Sequence, residues 1–427
     1  MHGLCGRRTV NGRRILTSRR VVSGRLSLCV LCILCVLVCV LVGSGRAAAQ
    51  EPAAPQPLPA AQLSAAIDKL SDLDYDTRMK AARLVRRTPT AQAVPMLLQT
   101  VAEHGDGYVR FKALVLLTGF NDPRTKDSMR TSLASPNDRV RALAYSFFER
   151  NPDRALLPDF IAALEKEQGE FVRPAVVRAL AAAVAAADDV RARDVLVREI
   201  TRGEDFFRSA VVEALGDYRA RYAFDALTAI AKLDGPLQDD AVLALGKIGD
   251  KRALETFAAL QRSAPKQTQP AIAAAICLLD VNCSSHEHFL AETLKFSDRN
   301  IGFQELLRGA AAGLGALAVA GRAEALDALI EIGIPSRDPT RAPIALALGA
   351  VALRNTPLIM THLAKLQTAD AAKLDGAMAL VGEGFDMLEE DLDKERFFVL
   401  ARRTYWDAAD GSPRRALMQT LIGKLDF

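Results

Sequence analysis

The chain is expected to fold as an all-α solenoid of about ten stacked helical hairpins, and three observations carry that expectation. Apolar residues recur with helical spacing from about Leu63 to the C-terminus, and Gly or Pro interrupts them every 12 to 18 residues. An acid followed three or four residues later by Arg marks successive helix starts: Asp74 and Arg78, Asp106 and Arg110, Asp138 and Arg141, Glu170 and Arg173, Asp205 and Arg208. The Arg positions step by 32, 31, 32 and 35 residues, a period that signals stacked supersecondary units. No stretch sustains a period-two alternation, so no β-sheet is expected.

The N-terminal 49 residues read as an export signal. Eight Arg and no Lys or acid stand among them, seven of the Arg ahead of an uncharged apolar stretch over residues 26–42. Ala47 and Ala49 then supply the small-x-small pattern of a signal-peptidase site. The expected division is an n-region over 1–25, an apolar core over 26–42 and cleavage after Ala49, leaving Gln50 as the mature N-terminus. The mature chain is then periplasmic or secreted. A 17-residue apolar run is also at the short limit of a bilayer span, so the alternative is an uncleaved inner-membrane anchor over residues 26–42. Residues 50–62, rich in Pro, Ala and Gln, read as a linker too polar to pack.

Removing the signal changes the charge reading. The 427-residue chain has 55 Lys plus Arg against 51 Asp plus Glu, but beyond residue 49 the balance is 47 to 51. A body with a formal net charge of −4 has no global attraction for nucleic acid, and the membrane enters only through an uncleaved signal.

Regular repeats are expected over residues 63–262. Residues 237–260 show one unit clearly: Leu237, Ala241, Leu245 and Ile248 form one apolar stripe, and Ala253, Phe257 and Leu260 form the stripe of a second helix. Gly249 suits the left-handed end of the first helix and Asp250 the cap of the next. Such a hairpin cannot bury its own apolar face and must stack on its neighbours. Divergent repeats and a C-terminal cap are expected over residues 263–427, with helices starting near Pro270, Phe303, Arg341, Leu374 and Arg414. At helix spacings of about 8–10 Å the stack would make a curved rod on the order of 90–100 Å long.

Asp138, Val140 and Arg141, then Ala214, Leu215 and Gly216, then Asp250, Ala253 and Leu254 resemble the acid-x-V-R, A-L-G and D-x-x-A-L elements of HEAT repeats. The likeness is strongest to the short bacterial repeats also found in phycobilisome lyases. It implies an ARM/HEAT-type superhelix and says little about activity. The repeated acids and arginines read first as helix caps and a structural ladder between units, and second as an Arg-lined groove for acidic ligands.

Motifs of catalysis are missing: the sequence has no nucleophile elbow, no phosphate-binding loop and no zinc-protease signature, and Gly382 with Gly384 is a lone GxG. No cofactor or metal is expected. One local cluster, Cys277, Cys283, His286 and His288, admits several readings. Two cysteines six residues apart in an exported chain favour a disulfide, with free thiols and a metal- or redox-responsive site as alternatives. The candidate binding surface lies in the loops carrying Arg299, Asn300, Arg337, Asp338, Arg341, Arg354 and Asn355, because loops on a rigid scaffold commonly carry binding residues. The acidic run over residues 386–395 reads as a solvated helix face, and the single tryptophan, Trp406, as a core or cap residue.

The expected function is a non-enzymatic scaffold holding a protein or peptide partner along its groove in the bacterial cell envelope. The alternatives are a lyase or isomerase, which the resemblance to phycobilisome lyases permits, and the metal- or redox-responsive module at residues 277–288.

Overall fold

The computed structural model describes residues 54–425 and Phe427. The expected signal, its apolar core over 26–42 and the cleavage positions Ala47, Ala49 and Gln50 lie outside the described residues. Among the described residues there are 22 helices and no strand.

Helices alternate between two layers. An inner layer packs side by side: α2 (Tyr75–Arg86), α4 (Gly107–Gly119), α6 (Asp138–Arg150), α8 (Val172–Ala187), α10 (Asp205–Asp217), α12 (Gln238–Ile248), α14 (Gln269–Leu278), α16 (Gln304–Val319), α18 (Arg341–Arg354) and α20 (Ala371–Met387). The outer layer is α3 (Thr90–Glu103), α5 (Arg124–Ser132), α7 (Leu157–Lys166), α9 (Val190–Glu199), α11 (Phe224–Ala231), α13 (Ala253–Ser263), α15 (Cys283–Arg299), α17 (Ala323–Gly333) and α19 (Thr356–Ala369). Helix α1 (Ala60–Asp68) precedes the stack; α21 (Asp391–Asp407) and α22 (Pro413–Leu425) follow it. The stripe at Leu237, Ala241, Leu245, Ile248, Ala253, Phe257 and Leu260 is buried throughout, and Gly249 is left-handed at φ 79°.

The expected linker is partly structured. Leu58 donates its amide to Gln92 Oε1 at 3.0 Å, Gln56 donates to the Arg87 carbonyl at 2.9 Å, and α1 already begins at Ala60. An extended Pro-rich strip has free backbone groups on both sides, so a neighbouring amide side chain can hold it, and Leu58 adds a contact with the apolar cluster around Leu63 and Leu97.

The acid–Arg marker resolves into two arrangements set by spacing. Where the spacing is four, the acid is the cap: Asp74 accepts from Thr77 N and Asp106 from Tyr108 N, each at 2.8 Å. Where it is three, the acid falls inside the helix or in the turn before it. Asn137 caps α6 instead, Asp138 and Asp205 pair with Arg141 and Arg208 one turn on, and Glu170 caps nothing. The Arg role is constant. Arg78, Arg110, Arg141, Arg173, Arg208 and Arg341 each donate to a carbonyl five to nine residues upstream, where the preceding helix or turn leaves its last C=O groups unpaired. Arg141 also forks onto Glu167 and Arg341 onto Glu383, while Arg173 pairs with Glu199 through Nη2, so these side chains tie one unit to the next.

The stack does not run out as an open rod. Helix α21 leaves the last repeats and packs across α4 and α6, closing residues 54–427 into a ring. Leu392 of α21 sits in the apolar core built by residues 111–279. The acidic run is therefore only partly a solvated face: Asp386 and Glu389 remain exposed, while Asp391 binds Lys112 at 2.8 Å, Asp393 binds Arg150 at 2.6 Å, and Glu395 takes a bidentate grip from Arg86.

Small residues in the inner layer explain the tight curvature. A β-carbon on Gly216 would lie 2.7 Å from Ala244 Cα, one on Gly246 would lie 2.6 Å from Ala275 Cα, and one on Gly349 would lie 2.8 Å from the Gly384 carbonyl carbon. At these three contacts the inner helices meet backbone to backbone. A stack with a shorter inner edge must bend inward, and this one bends until its ends meet.

Candidate binding site inside the ring

Closure leaves an open-ended cavity of about 1060 Å³, bounded by α6, α8, α10, α12, α14, α16, α18 and the link at Leu388 and Glu390. Its two walls differ in chemistry. The side formed by α14, α16 and α18 is apolar and smooth, with Leu278, Ala312, Ala316, Val319, Leu346 and Ala350, and Leu346 is 41% exposed to the cavity. The Ala- and Gly-rich helix α16 thus serves both close packing and this wall.

The opposite wall is a charged network. Glu149, buried at the cavity edge, accepts from Arg178 Nε at 2.9 Å and from the Tyr218 hydroxyl at 2.7 Å. Arg178 reaches Asp217 at 3.1 Å, and Lys247 reaches the other oxygen of Asp217 at 2.7 Å. Across the gap Arg354 binds Glu390 at 2.9 Å. Burial disfavours the charged form of Arg178, but Glu149 and Asp217 outweigh it and raise its pKa. Burial likewise works against ionised Asp217, yet Lys247 and Arg178 hold its carboxyl below the ordinary value. Burial and the Glu149 carboxylate push Tyr218 up.

Two carboxyls stand outside these pairings. Burial, with Asp240 adding to it, raises Glu213 against the pull of Lys247 and Arg178. Burial also raises Asp240, although Ser209 donates to it at 2.6 Å. Below its unfolded pKa, Glu213 is protonated in both states and contributes nothing. As pH rises the folded state holds the proton longer, so stability falls through this window. Glu213 is crowded by the ring wall yet itself exposed to solvent, which screens the effect, so Glu213→Gln is expected to leave the thermal midpoint unchanged at pH 4 and to raise it at pH 7 by less than about 1 °C. Melting curves at the two pH values check it; equal shifts at both would contradict the assignment.

The loops proposed from sequence do not converge on one surface. Arg299, Asn300, Arg337 and Asp338 are exposed near the start of α18, where Thr340 donates to Asp298 at 2.6 Å. Arg341, at that same end, is spent on the carbonyls of Gly333, Ile334 and Ser336 and on Glu383. Arg354 and Asn355 lie at the far end of the helix, about 20 Å away at 1.5 Å per residue. Asn355 is structural, donating to the Val319 carbonyl at 3.1 Å and capping α19. Of the seven residues only Arg354 lines the cavity.

Cys277 and Cys283 are joined by a disulfide that staples the end of α14 to the first residue of α15. Their sulfurs and the Glu287 carboxylate lie within 4.8 Å of one another, a spacing that would suit a metal. Those atoms are committed otherwise, because Arg322 grips Glu287 with two bonds of 2.9 Å. His286 and His288, two apart on a helix, face different sides. Sequence reasoning passed over Arg178, Glu149, Tyr218 and Asp217. Their only signal was charge on the inner side of α6, α8 and α10, which looks the same whether it meets bulk water or the ring's cavity.

Residues 63–147 match the family model described as HEAT repeats. No curated protein matches the chain by sequence. Among solved structures, YibA of Escherichia coli is 18% identical, covering 52% of this chain and 82% of its own, with a TM-score of 0.38. The CpcE–CpcF complex of phycocyanin lyase from a Nostoc species is 19% identical, covering 63% of this chain and 97% of its own, with a TM-score of 0.36. Human deoxyhypusine hydroxylase is 17% identical, covering 51% of this chain and 84% of its own, with a TM-score of 0.27.

Proposed function

We propose that this HEAT-repeat protein is a non-enzymatic binding module of the bacterial cell envelope, exported by residues 1–49, whose ring holds an extended stretch of a protein partner in its central cavity. The observation that carries this reading is the pairing of a mainly apolar wall with a charged one across an open-ended cavity of about 1060 Å³. That volume stands at the upper end of the range of small-ligand pockets, about 300–1,000 Å³, and suits a short peptide better than a compact metabolite. Apolar side chains of such a segment would lie on Leu346 and Val319, and its backbone and polar groups would meet Arg178, Asp217 and Arg219. The charged wall is already paired internally, so it offers orientation more than net attraction.

A photo-crosslinking residue at Leu346, inside the ring, is compared in cells with one at Leu233, which is exposed between α11 and α12. A discrete adduct from position 346 and none from 233 is expected, together with loss of partner capture in Leu346→Arg. Undiminished capture by Leu346→Arg, or adducts from position 233 alone, would move the site out of the cavity.

A further inference from the structure

A second cleft, of about 420 Å³, lies on the seam where α21 meets the N-terminal repeats, apart from the central cavity. One side is formed by the C-terminal ends of α2 and α4 and the start of α3, the other by α21. Arg86 spends Nε and Nη2 on Glu395, with bonds of 2.6 to 3.0 Å, and its Nη1 is buried with no hydrogen-bond partner. From α21, Arg402 also presents a buried Nη1 without a partner. Among the described residues these two guanidiniums share one carboxylate, Glu395. Buried donors are ordinarily satisfied, so two orphans on facing elements of one cleft call for an acceptor.

Other features of the cleft have the same sign. Helix α3 starts at the rim with Thr90, after Pro89, and has no side-chain cap, so its positive dipole end lies at the cleft. Burial, then Arg87 and Arg86, pushes the Arg402 guanidinium down to about 10, far below an ordinary arginine, despite Glu395. An added negative charge would relieve that strain between cations. Beside Thr88, Thr90 and Arg403, the rest of the lining is apolar and includes two flat rings, Phe120 and Trp406, the latter 42% exposed. Of the two expected readings of Trp406, core or cap residue, the core one is excluded by that exposure; its neighbour Tyr405 takes the core position, fully buried.

We infer that the seam is a binding site for a small oxoanion, a carboxylate or phosphate head held between Arg86 and Arg402, with an apolar body against Trp406 and Phe120. Because the two arginines belong to α2 and α21, a bound anion bridges the two ends of the ring and stabilises its closure by mass action.

Trp406 is the only tryptophan of the chain, so its fluorescence reports on this cleft alone. The full-length mature protein is titrated with phenyl phosphate, benzoate and inorganic phosphate at matched ionic strength. A saturable change in emission is expected, weakening as NaCl is added and accompanied by a rise in the thermal midpoint. Arg402→Gln should weaken binding about tenfold or more, the worth of one charge-assisted hydrogen bond. Arg402 has no hydrogen bond to lose and its charge is disfavoured in the seam, so this variant should melt no lower than the wild type; Arg403→Gln, at the exposed rim, should bind with a smaller loss. A response to phenyl phosphate alone assigns a phosphate head, and one to benzoate alone assigns a carboxylate. No saturable change with any probe, or unaltered affinity in a folded Arg402→Gln, would overturn the site without touching the central cavity.

Discussion

Glu395→Ala is expected to open the ring and to cost about 3–5 kcal/mol, the range seen when one partner of a buried ion pair is removed. Glu395 is 1% exposed and is the sole carboxylate against Arg86, whose own side chain is 12% exposed. Removing it leaves a guanidinium in the seam facing Arg402, with no anion between them. Shape is lost as well, because Glu395 leans on Gly119: a β-carbon there would lie 2.8 Å from Glu395 Oε1. The outer contacts, Lys112 with Asp391 and Arg150 with Asp393, are a quarter to a third exposed on the basic side and contribute much less. They are not expected to hold α21 in place alone. Small-angle scattering should show a larger radius of gyration and urea unfolding a lower midpoint, while circular dichroism keeps the helical signal, since each hairpin still stacks on its neighbours. A Glu395→Ala chain with wild-type scattering and midpoint would mean that apolar packing around Leu392 closes the ring without the ion pair.

Gly384→Ala tests the other half of the explanation, the curvature. The new methyl group would collide with the Ala345 carbonyl oxygen and approach Gly349 Cα to 2.8 Å, so the obstacle is backbone of α18. Backbone on both sides cannot rotate away as a side chain can. Overpacking of this kind costs about 1–3 kcal/mol and sometimes more, and the upper end is expected. Gly246→Ala, with Ala275 Cα at 2.6 Å, should behave alike. Gly235→Ala is the control: nothing lies within 4 Å of its β-carbon, and the change should stay within about 0.5 kcal/mol. Urea titrations of the three variants rank them. If Gly384→Ala unfolds together with Gly235→Ala, the inner helices have room to spare and the shortened inner edge is not what bends the stack.

Much of the repeat was legible residue by residue. Helix starts expected near Pro270, Phe303 and Arg341 fall at Gln269, Gln304 and Arg341, because apolar period, caps and glycine stops act over a few residues. The acid–Arg marker was legible as a pattern but not as a mechanism. Whether the acid caps the helix or pairs along it turns on one residue of spacing, and which carbonyl the Arg finds depends on where the preceding helix ends. The candidate loops show the opposite failure. Arg341 and Arg354 are close in sequence and lie on one helix, yet that helix holds them at opposite ends of the ring wall.

The sequence by itself determined the helical hairpin, its period, its burial pattern and the cysteine pair close enough to bridge, all of them consequences of interactions within about forty residues. Only the tertiary structure decided that the solenoid closes. Lys112 and Asp391 are 279 residues apart, and Arg86 and Glu395 are 309 apart. An acid on a half-exposed helix face has the same local signature whether water or a distant arginine receives it. Close backbone contacts in the inner layer, such as Gly216 with Ala244 and Gly349 with Gly384, shorten that edge and favour closure. Each contact looks ordinary in its own repeat, and only their sum brings the ends within reach, creating both the central cavity and the seam.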